Sequence, residues 1–336
     1  MPSSIKYIAK LANTSPATVS RVINKKPGVA KATQERILDL IGLVGYTPNL
    51  LARGLVGKKF NGIALVIPRT AQFVFSNPFY PEVLKAIGEL ANQYQYHLLL
   101  SFAEEDSYAS IYRYGVARGV IVISNRLYDP KIDELEKEKI PTVLIPGLLD
   151  KSRLPSVDVD NVGGAFQAAQ HLISLGHRRI AFLGGGRDSK YFIERLAGFK
   201  EAFQKNRIPV KQKLIIETDF SQLKAFDAME NLLRLKEFPT AVFCINEATA
   251  LGAILAINRN HLKVPDDISV VGFGDTPLAA IINPPLTTVR QPIFDIGACA
   301  VKMLNDLIDG TKRESWNIVL PVQLVIRSST KRIGGK

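Results

Sequence analysis

Apolar residues in the first 47 positions recur at the three- and four-residue spacing of amphipathic helices. This spacing predicts a first helix over Ile5–Leu11 and a second that begins after Ser15, which can cap free amide groups, with Pro16 at its first position. A third helix is predicted over Lys31–Val44, where Gly45 is a stop signal. Two short helices joined by so tight a turn form a helix-turn-helix, which leaves the second helix projecting from the surface.

The following stretch, residues 48–60, predicts a helix that forms conditionally. Asn49 can cap it, but about two turns do not sustain a helix in water without a partner. Gly54 and Gly57 each weaken such a helix by roughly 1 kcal/mol relative to alanine. We therefore predict a hinge that becomes helical when another surface holds it.

From Gly62 onward, short apolar strands alternate with amphipathic helices, a pattern typical of parallel sheets with helices on both faces. The predicted strands are 62–67, 97–102, 119–124, 142–145, 156–159, 180–183, 214–217, 241–245, 269–272, 316–320 and 322–326. The predicted helices are 82–94, 163–175, 194–206, 222–235, 248–260 and 294–309. This many strands fit two α/β units better than one.

Composition narrows the class of protein. No run of about 18 apolar residues predicts a membrane span, and the first residues lack the apolar core of a secretory signal. The two cysteines, Cys244 and Cys299, lie far apart, so neither a disulfide framework nor a cysteine zinc site is expected. We expect a cytoplasmic protein with no cofactor and no metal.

The positive charge is concentrated at the start of the chain. Residues 1–61 contain ten Lys and Arg but two acidic residues, a net charge of +8, against +12 for all 336 residues. A solvated basic face with no partner is one interpretation. A polyanion partner is the better one, because neutralising phosphates releases counterions.

An ordered set of motifs runs along the chain. At the start it comprises residues 5–12 (IKYIAKLA), 15–24 (SPATVSRVIN), 45–49 (GYTPN) and 52–55 (ARGL). Later it comprises 76–80 (SNPFY), 171–180 (HLISLGHRRI), 195–199 (RLAGF), 246–247 (NE), 250–252 (ALG), 264–273 (VPDDISVVGF) and 284–291 (PPLTTVRQ). Over about residues 4–330, this set resembles the lactose-repressor (LacI/GalR) family of transcriptional regulators.

The resemblance implies a core like that of periplasmic sugar-binding proteins, with two α/β lobes connected by three crossings near residues 160, 290 and 320. The implied division is a headpiece (1–47), a hinge (48–60), lobe 1 (about 61–160 and 291–320), lobe 2 (about 161–290 and 321–330) and a basic tail (331–336). It also implies a homodimer on a palindromic double-stranded operator. A tetramer is disfavoured because the tail lacks a leucine heptad.

In the family the second helix enters the major groove. Arg21 matches a base-facing position, and its guanidinium can bond guanine O6 and N7 together, although a phosphate contact is the alternative. Leu55 matches the hinge leucine that wedges between bases in the minor groove, although it could instead pack against its dimer mate. The predicted DNA contacts are Ser15, Pro16, Ala17, Thr18, Ser20, Arg21, Asn24, Asn49, Ala52, Arg53 and Leu55.

A sugar effector requires aromatic faces for its C–H surface and planar polar groups for its hydroxyls. The family's cleft positions correspond to Phe79, Tyr80, Ser189, Tyr191, Arg195, Phe220, Asn246 and Asp275. Gly274 stands where the family usually has an aspartate, and Asp275 is expected to point elsewhere on an extended backbone. The aromatic segment Arg69–Phe75 suggests a cover over the cleft, as in maltose-type members.

Three other functions are alternatives for this sequence. An enzyme is disfavoured because Gly184-Gly185-Gly186 follows a strand without GxGxxG spacing, and no nucleophile or acid–base constellation stands out. A sugar-binding transport protein is disfavoured by the basic headpiece. A regulator controlled by a protein corepressor, as in the catabolite-control branch of the family, stays open as an alternative.

Overall fold

The computed structural model describes residues 4–23, 26–45, 60–102, 107–147 and 153–334. Its contacts divide the chain into two compact units, Met1–Phe60 and Asn61–Lys336.

The first unit contains three helices: α1 (Ile5–Leu11), α2 (Pro16–Ile23) and α3 (Lys31–Val44). The Ser4 hydroxyl caps α1, and Gly45 ends α3 in a left-handed conformation at φ 60°, which favours glycine. The side chains that hold the helices together are Ile8, Ala9, Ala12, Val19, Val22 and Ile37, all buried. The three predicted helices and their tight first turn are confirmed.

The second unit contains two lobes, each built on a six-stranded sheet. The elements of lobe 1 are β1 (Gly62–Val66), α4 (Ala71–Ser76), α5 (Phe79–Gln93), β2 (His97–Ser101), α6 (Ser110–Arg113), β3 (Val120–Ile123), α7 (Pro130–Lys137), β4 (Thr142–Ile145), β5 (Ser156–Val159), α13 (Ile293–Asp309) and β11 (Asn317–Leu320). The elements of lobe 2 are α8 (Asn161–Ser174), β6 (Ile180–Gly184), α9 (Lys190–Lys205), a 3₁₀ turn (Gln212–Leu214), β7 (Ile215–Glu217), α10 (Gln222–Leu233), β8 (Ala241–Cys244), α11 (Glu247–Arg259), β9 (Ser269–Gly274), α12 (Pro277–Ile281), β10 (Thr287–Arg290) and β12 (Gln323–Val325).

The strand order is β11-β5-β4-β3-β1-β2 in lobe 1 and β12-β10-β9-β8-β6-β7 in lobe 2. All pairs are parallel except β10 with β12. The chain passes between the lobes after β5, after β10 and between β11 and β12. The predicted fold class, two parallel-sheet lobes flanked by helices, is confirmed.

Strands β1, β3, β4, β6 and β8 are buried along their whole length, as expected for sheets covered on both faces. Helices α5 and α13 pack together on lobe 1, while the pairs α8–α9 and α10–α11 cover lobe 2. Because the strands are parallel, the residues that follow them lie along one edge of each sheet, next to the space between the lobes. Ligands bind at this edge in parallel α/β units.

The structure differs from the predicted elements in several places. The helices α4, α6, α7 and α12 and the strand β10 were not predicted. Helix α7, for example, buries just Ile132 and Leu135, too short an apolar pattern to recognise. Helix α5 begins at Phe79 rather than at residue 82, and α9 begins at Lys190 rather than at residue 194, behind the cap Ser189. These earlier starts matter because the first turns of α5 and α9 face the space between the lobes.

Within the described part of the chain, no helix has the length and apolar character needed to cross a bilayer. The same residues contain no cluster of three or more His, Cys, Asp or Glu side chains arranged to hold a metal ion.

Candidate functional site

Helix α2 presents two different faces. Val19 and Val22 point into the core of the first unit and are at most 4% exposed. Pro16, Ala17 and Arg21 are exposed, so the three side chains predicted to meet base edges lie on the solvent side of the helix. The apolar pattern that builds the core thus also fixes which side chains α2 can offer to a partner.

Ser15 sets the start of this helix. Its hydroxyl accepts a hydrogen bond from the Thr18 amide at 3.1 Å and lies 2.9 Å from the Thr18 hydroxyl, while Thr18 and Ser20 are half-buried. The other predicted DNA contacts lie outside the described residues: Asn24, Asn49, Ala52, Arg53 and Leu55.

Between the lobes of the second unit lies a partly open cavity, and ligands bind preferentially at such junctions. Its lining residues from lobe 1 are Phe73, Asn77, Phe79, Tyr80, Ile123, Asn125, Ile145 and Pro146. Those from lobe 2 and the crossings are Tyr191, Arg195, Phe220, Asn246, Glu247, Phe273, Gly274, Thr276 and Gln291. Aromatic rings and planar polar groups dominate the lining.

Most of the predicted effector contacts come together in this cavity. The six that line it are Phe79, Tyr80, Tyr191, Arg195, Phe220 and Asn246.

Two predicted effector contacts do not line the cavity. Ser189 is 1% exposed, and its hydroxyl instead caps α9 by accepting from the Phe192 amide. The chain turns through a left-handed φ of 65° at Asp275, whose carboxylate is buried between Arg290 and Arg327, each at 2.6 Å. A helix cap and a double ion pair engage the polar atoms of these two residues, and their predicted effector roles stay predictions.

Arg195 is the polar centre of the cavity. Its guanidinium stacks 3.6 Å from the centroid of Phe273 and donates to the side chain of Asn161, the carbonyl of Ile245 and the side chain of Gln291. Burial lowers the pKa of Arg195 to about 10, so the group remains a cation at neutral pH. Three acceptors and a ring face therefore fix this cation in one orientation.

The two tyrosines of the lining are neutral hydrogen-bonding groups. Burial raises the pKa of Tyr80 to about 12 and raises the pKa of Tyr191 well above its usual value. Phe73 from α4 packs edge-on against Tyr80, with ring centroids 6.1 Å apart. The aromatic segment predicted as a cover thus contributes a ring to the cavity, while the maltose-type assignment stays a prediction.

Asn246 both caps a helix and lines the cavity. Its carboxamide oxygen accepts from the Thr249 amide at 2.8 Å, which caps α11 at the point where β8 has ended. The next residue, Glu247, also lines the cavity and was not predicted, although it directly follows Asn246 in the motif 246–247. The other lining residues that were not predicted from the sequence are Asn77, Ile123, Asn125, Ile145, Pro146, Phe273, Thr276 and Gln291.

A buried charge cluster joins the lobes beside the cavity. The Lys190 ammonium of lobe 2 lies 2.5 Å from the Asp158 carboxylate of lobe 1 and 3.5 Å from Glu194. Asn161 donates to both carboxylates, and the Lys190 amide donates to the Asn125 carbonyl across the cleft. The relative position of the lobes is therefore fixed by charged groups that water barely reaches.

The triple glycine at the end of β6 makes room for aromatic rings. A Cβ atom at Gly184 would lie 2.5 Å from the Phe192 ring, and one at Gly185 would lie 2.3 Å from the Phe220 ring. Glycine is needed at these two positions so that the rings can pack against the backbone. Packing therefore explains this part of the motif, and phosphate binding is not required to explain it.

The comparisons with known proteins agree with this architecture. Residues 4–49 match the profile "Bacterial regulatory proteins, lacI family", and residues 169–330 match "Periplasmic binding protein-like domain". Catabolite control protein A of Priestia megaterium is 34% identical over 98% of this chain and 100% of its own length.

Two solved structures are similar over nearly the whole chain. The lac repressor dimer bound to operator and the anti-inducer ONPF has a TM-score of 0.84 and 28% identity, covering 98% of this chain and 100% of that one. The transcriptional regulator CelR–cellobiose complex has a TM-score of 0.75 and 30% identity, covering 97% and 99%. The chain belongs to the LacI family of bacterial regulatory proteins, whose members are DNA-binding transcriptional regulators and not enzymes.

Proposed function

We propose that the protein is a cytoplasmic repressor of carbohydrate-utilisation genes that binds a palindromic operator as a homodimer. A sugar or sugar-derived effector in the interlobe cavity modulates this binding. The observation that carries the proposal is the cavity itself, where aromatic rings surround a fixed, buried guanidinium in a chain that also has a cationic helix-turn-helix unit.

The DNA half of the proposal depends on α2. Arg21 is exposed and reads a guanine, while Pro16 and Ala17 offer apolar contact to a thymine methyl group. Thr18 and Ser20 suit phosphate contacts, which set register rather than sequence. In the hinge, Leu55 is proposed to enter the minor groove at the operator centre.

The effector half depends on the chemistry of the lining. Aromatic faces accept the C–H surface of a sugar ring, and asparagine, glutamine and tyrosine groups pair with its hydroxyls. The solved CelR complex contains cellobiose, and its fold covers nearly all of this chain. A neutral or nearly neutral carbohydrate is the ligand class that this surface suits best.

Coupling between the two halves requires that the effector bind one lobe arrangement better than another. The Lys190–Asp158 pair and the cavity lie at the same interlobe junction, so a ligand that contacts both lobes favours the arrangement in which that pair is formed. The shift in lobe position then changes how the two headpieces of a dimer meet DNA.

Exposed apolar side chains on lobe 2 support the homodimer. Leu223 on α10, Leu255 on α11 and Ile281 on α12 are 69%, 43% and 78% exposed, and α10 packs against α11. Leu223 and Leu255 thus lie on two packed helices, and grouped exposed apolar side chains are typical of an interaction surface. A second copy is the partner we assign, since the similar lac repressor is a dimer on its operator.

Calorimetry with glucose, ribose and cellobiose, followed by fluorescence anisotropy on selected palindromic DNA with and without the bound sugar, tests the proposal. We expect at least one sugar to bind and to change operator affinity about fivefold or more. Arg195→Ala should abolish sugar binding, whereas the exposed Lys224→Ala should not. Operator binding without any sugar response would contradict the effector half and favour the protein-corepressor alternative.

A further inference from the structure

Glycine 274 leaves a space in the cavity wall that a neighbouring side chain occupies. At the end of β9 its φ is +148°, a conformation that side-chain-bearing residues rarely adopt. A Cβ atom built there would lie 3.1 Å from the carboxyl carbon of Glu247 and 3.2 Å from its Oε2. The volume next to Gly274 therefore belongs to the Glu247 carboxyl group.

Thr276 holds this carboxyl group in place. The Thr276 amide donates to Glu247 Oε1 at 2.8 Å, and the Thr276 hydroxyl donates to Oε2 at 2.5 Å. The Asp275 backbone also donates to this group, and because a carboxylate offers about four acceptor positions, these bonds orient it without exhausting it. Among the described residues that line the cavity, Glu247 is the one acidic side chain.

The charged groups around Glu247 do not neutralise it. Asp275 behind it is paired with Arg290 and Arg327 and adds a like charge. Arg195, the cation of the lining, donates to Asn161, Ile245 and Gln291 and to no acidic group. Tyr80 and Tyr191, the remaining titratable groups of the lining, are neutral. Burial, followed by a smaller effect of Asp275, raises the pKa of Glu247 to about 7.

We propose that Glu247 determines the specificity of the cavity, its carboxylate accepting a hydrogen bond from a hydroxyl of a neutral sugar beside the bare backbone of Gly274. This inference rests on the proposed function, since it names the chemistry of the same cavity. A hydroxyl donor satisfies a carboxylate that has no cationic partner, whereas a carboxylate or phosphate on the ligand is repelled by it. The cavity therefore prefers neutral sugars to acidic ones.

The test compares wild-type protein with Glu247→Gln, which keeps the shape of the side chain, and with Glu237→Gln, an exposed control. Calorimetry uses glucose, ribose and cellobiose, then glucuronate or glucose 6-phosphate, at pH 6, 7 and 8. For a neutral sugar, we expect Glu247→Gln to weaken binding about tenfold while Glu237→Gln leaves it unchanged.

The pH profile separates this contact from a merely structural one. Because the ionised carboxylate accepts the hydroxyl, wild-type affinity should rise between pH 6 and pH 8, and Glu247→Gln should show no such rise. We expect glucuronate and glucose 6-phosphate to bind Glu247→Gln better than they bind the wild-type protein.

The outcomes distinguish the inference from the proposed function. If a neutral sugar binds wild-type protein and Glu247→Gln with equal affinity and equal pH dependence, this inference is overturned while the effector role of the cavity stands. If none of the sugars binds the wild-type protein, the proposed sugar response and this inference are both overturned.

Discussion

The buried pair between Lys190 and Asp158 yields the most quantitative prediction. In Lys190→Met the aliphatic stem is retained, but the Asp158 carboxylate, 7% exposed, loses its cation, and Glu194 stays nearby. Removing one partner of a buried ion pair costs about 3–5 kcal/mol.

The lower end of this range is expected, because Asp158 keeps bonds from the Val159 amide and the Asn161 side chain. A loss of about 3 kcal/mol corresponds to a fall of about 6 °C in Tm for a unit of this size. Because the pair joins the two lobes, separation of the lobes also relieves the penalty by letting water reach Asp158. The variant should therefore have a larger radius of gyration in small-angle scattering.

Differential scanning calorimetry at pH 7 measures the effect. Lys224→Met, which breaks an exposed pair with Asp219, should change Tm by no more than about 2 °C. Adding Asp158→Asn to Lys190→Met should recover most of the loss. An unchanged Tm and scattering radius in Lys190→Met would refute the reasoning.

Four further results are expected. Arg21→Ala should lower the preference for selected operator over random DNA by about 1–3 kcal/mol, whereas Arg36→Ala, which removes the same charge from α3, should leave that preference intact in anisotropy titrations. Leu55→Ala should weaken specific binding by about 1 kcal/mol or more and reduce DNA bending; equal affinity and equal bend angle in gel-shift assays would count against the wedge. Ile281→Asp should shift the protein towards monomer in sedimentation velocity, and an intact dimer would exclude this surface as the interface. Since the pKa of Glu247 rises from 4.5 to about 7 on folding, the wild-type free energy of unfolding should fall by about 3 kcal/mol relative to Glu247→Gln as the pH rises from 4.5 to 7 and then level off; parallel stability curves for the two proteins would disprove the shift.

Much of the fold was predictable because its signals are local. The core positions of α1 to α3 follow helical spacing, and the buried strands of both lobes are short apolar runs bounded by polar residues. Helix α7 escaped prediction because two buried residues carry its pattern, and the start of α9 was misplaced because its first turn is fixed by the cap Ser189. Such starts depend on hydrogen bonds rather than on apolar periodicity.

The site was partly predictable because some of its residues lie in or near motifs that resemble the family. Arg195 and Tyr191 belong to a helix whose motif resembles the family, so their positions could be transferred. The orientation of Asp275 could not be predicted, because it depends on a left-handed turn and on two arginines distant in sequence. Glu247 was missed because its importance comes from the absent side chain at Gly274, a relation between two positions that meet only in the folded protein.

The central claim is that the cationic helical unit reads duplex DNA as a symmetric pair. The most direct measurement selects binding sites from a random duplex pool with the full-length protein. It then compares anisotropy titrations of the selected duplex with those of a scrambled duplex at 150 mM salt, with and without sugar. We expect a palindromic consensus, bound about a thousandfold or more tighter than the scrambled duplex. Failure to enrich a palindrome, or equal affinity for both duplexes under every condition, would contradict the claim.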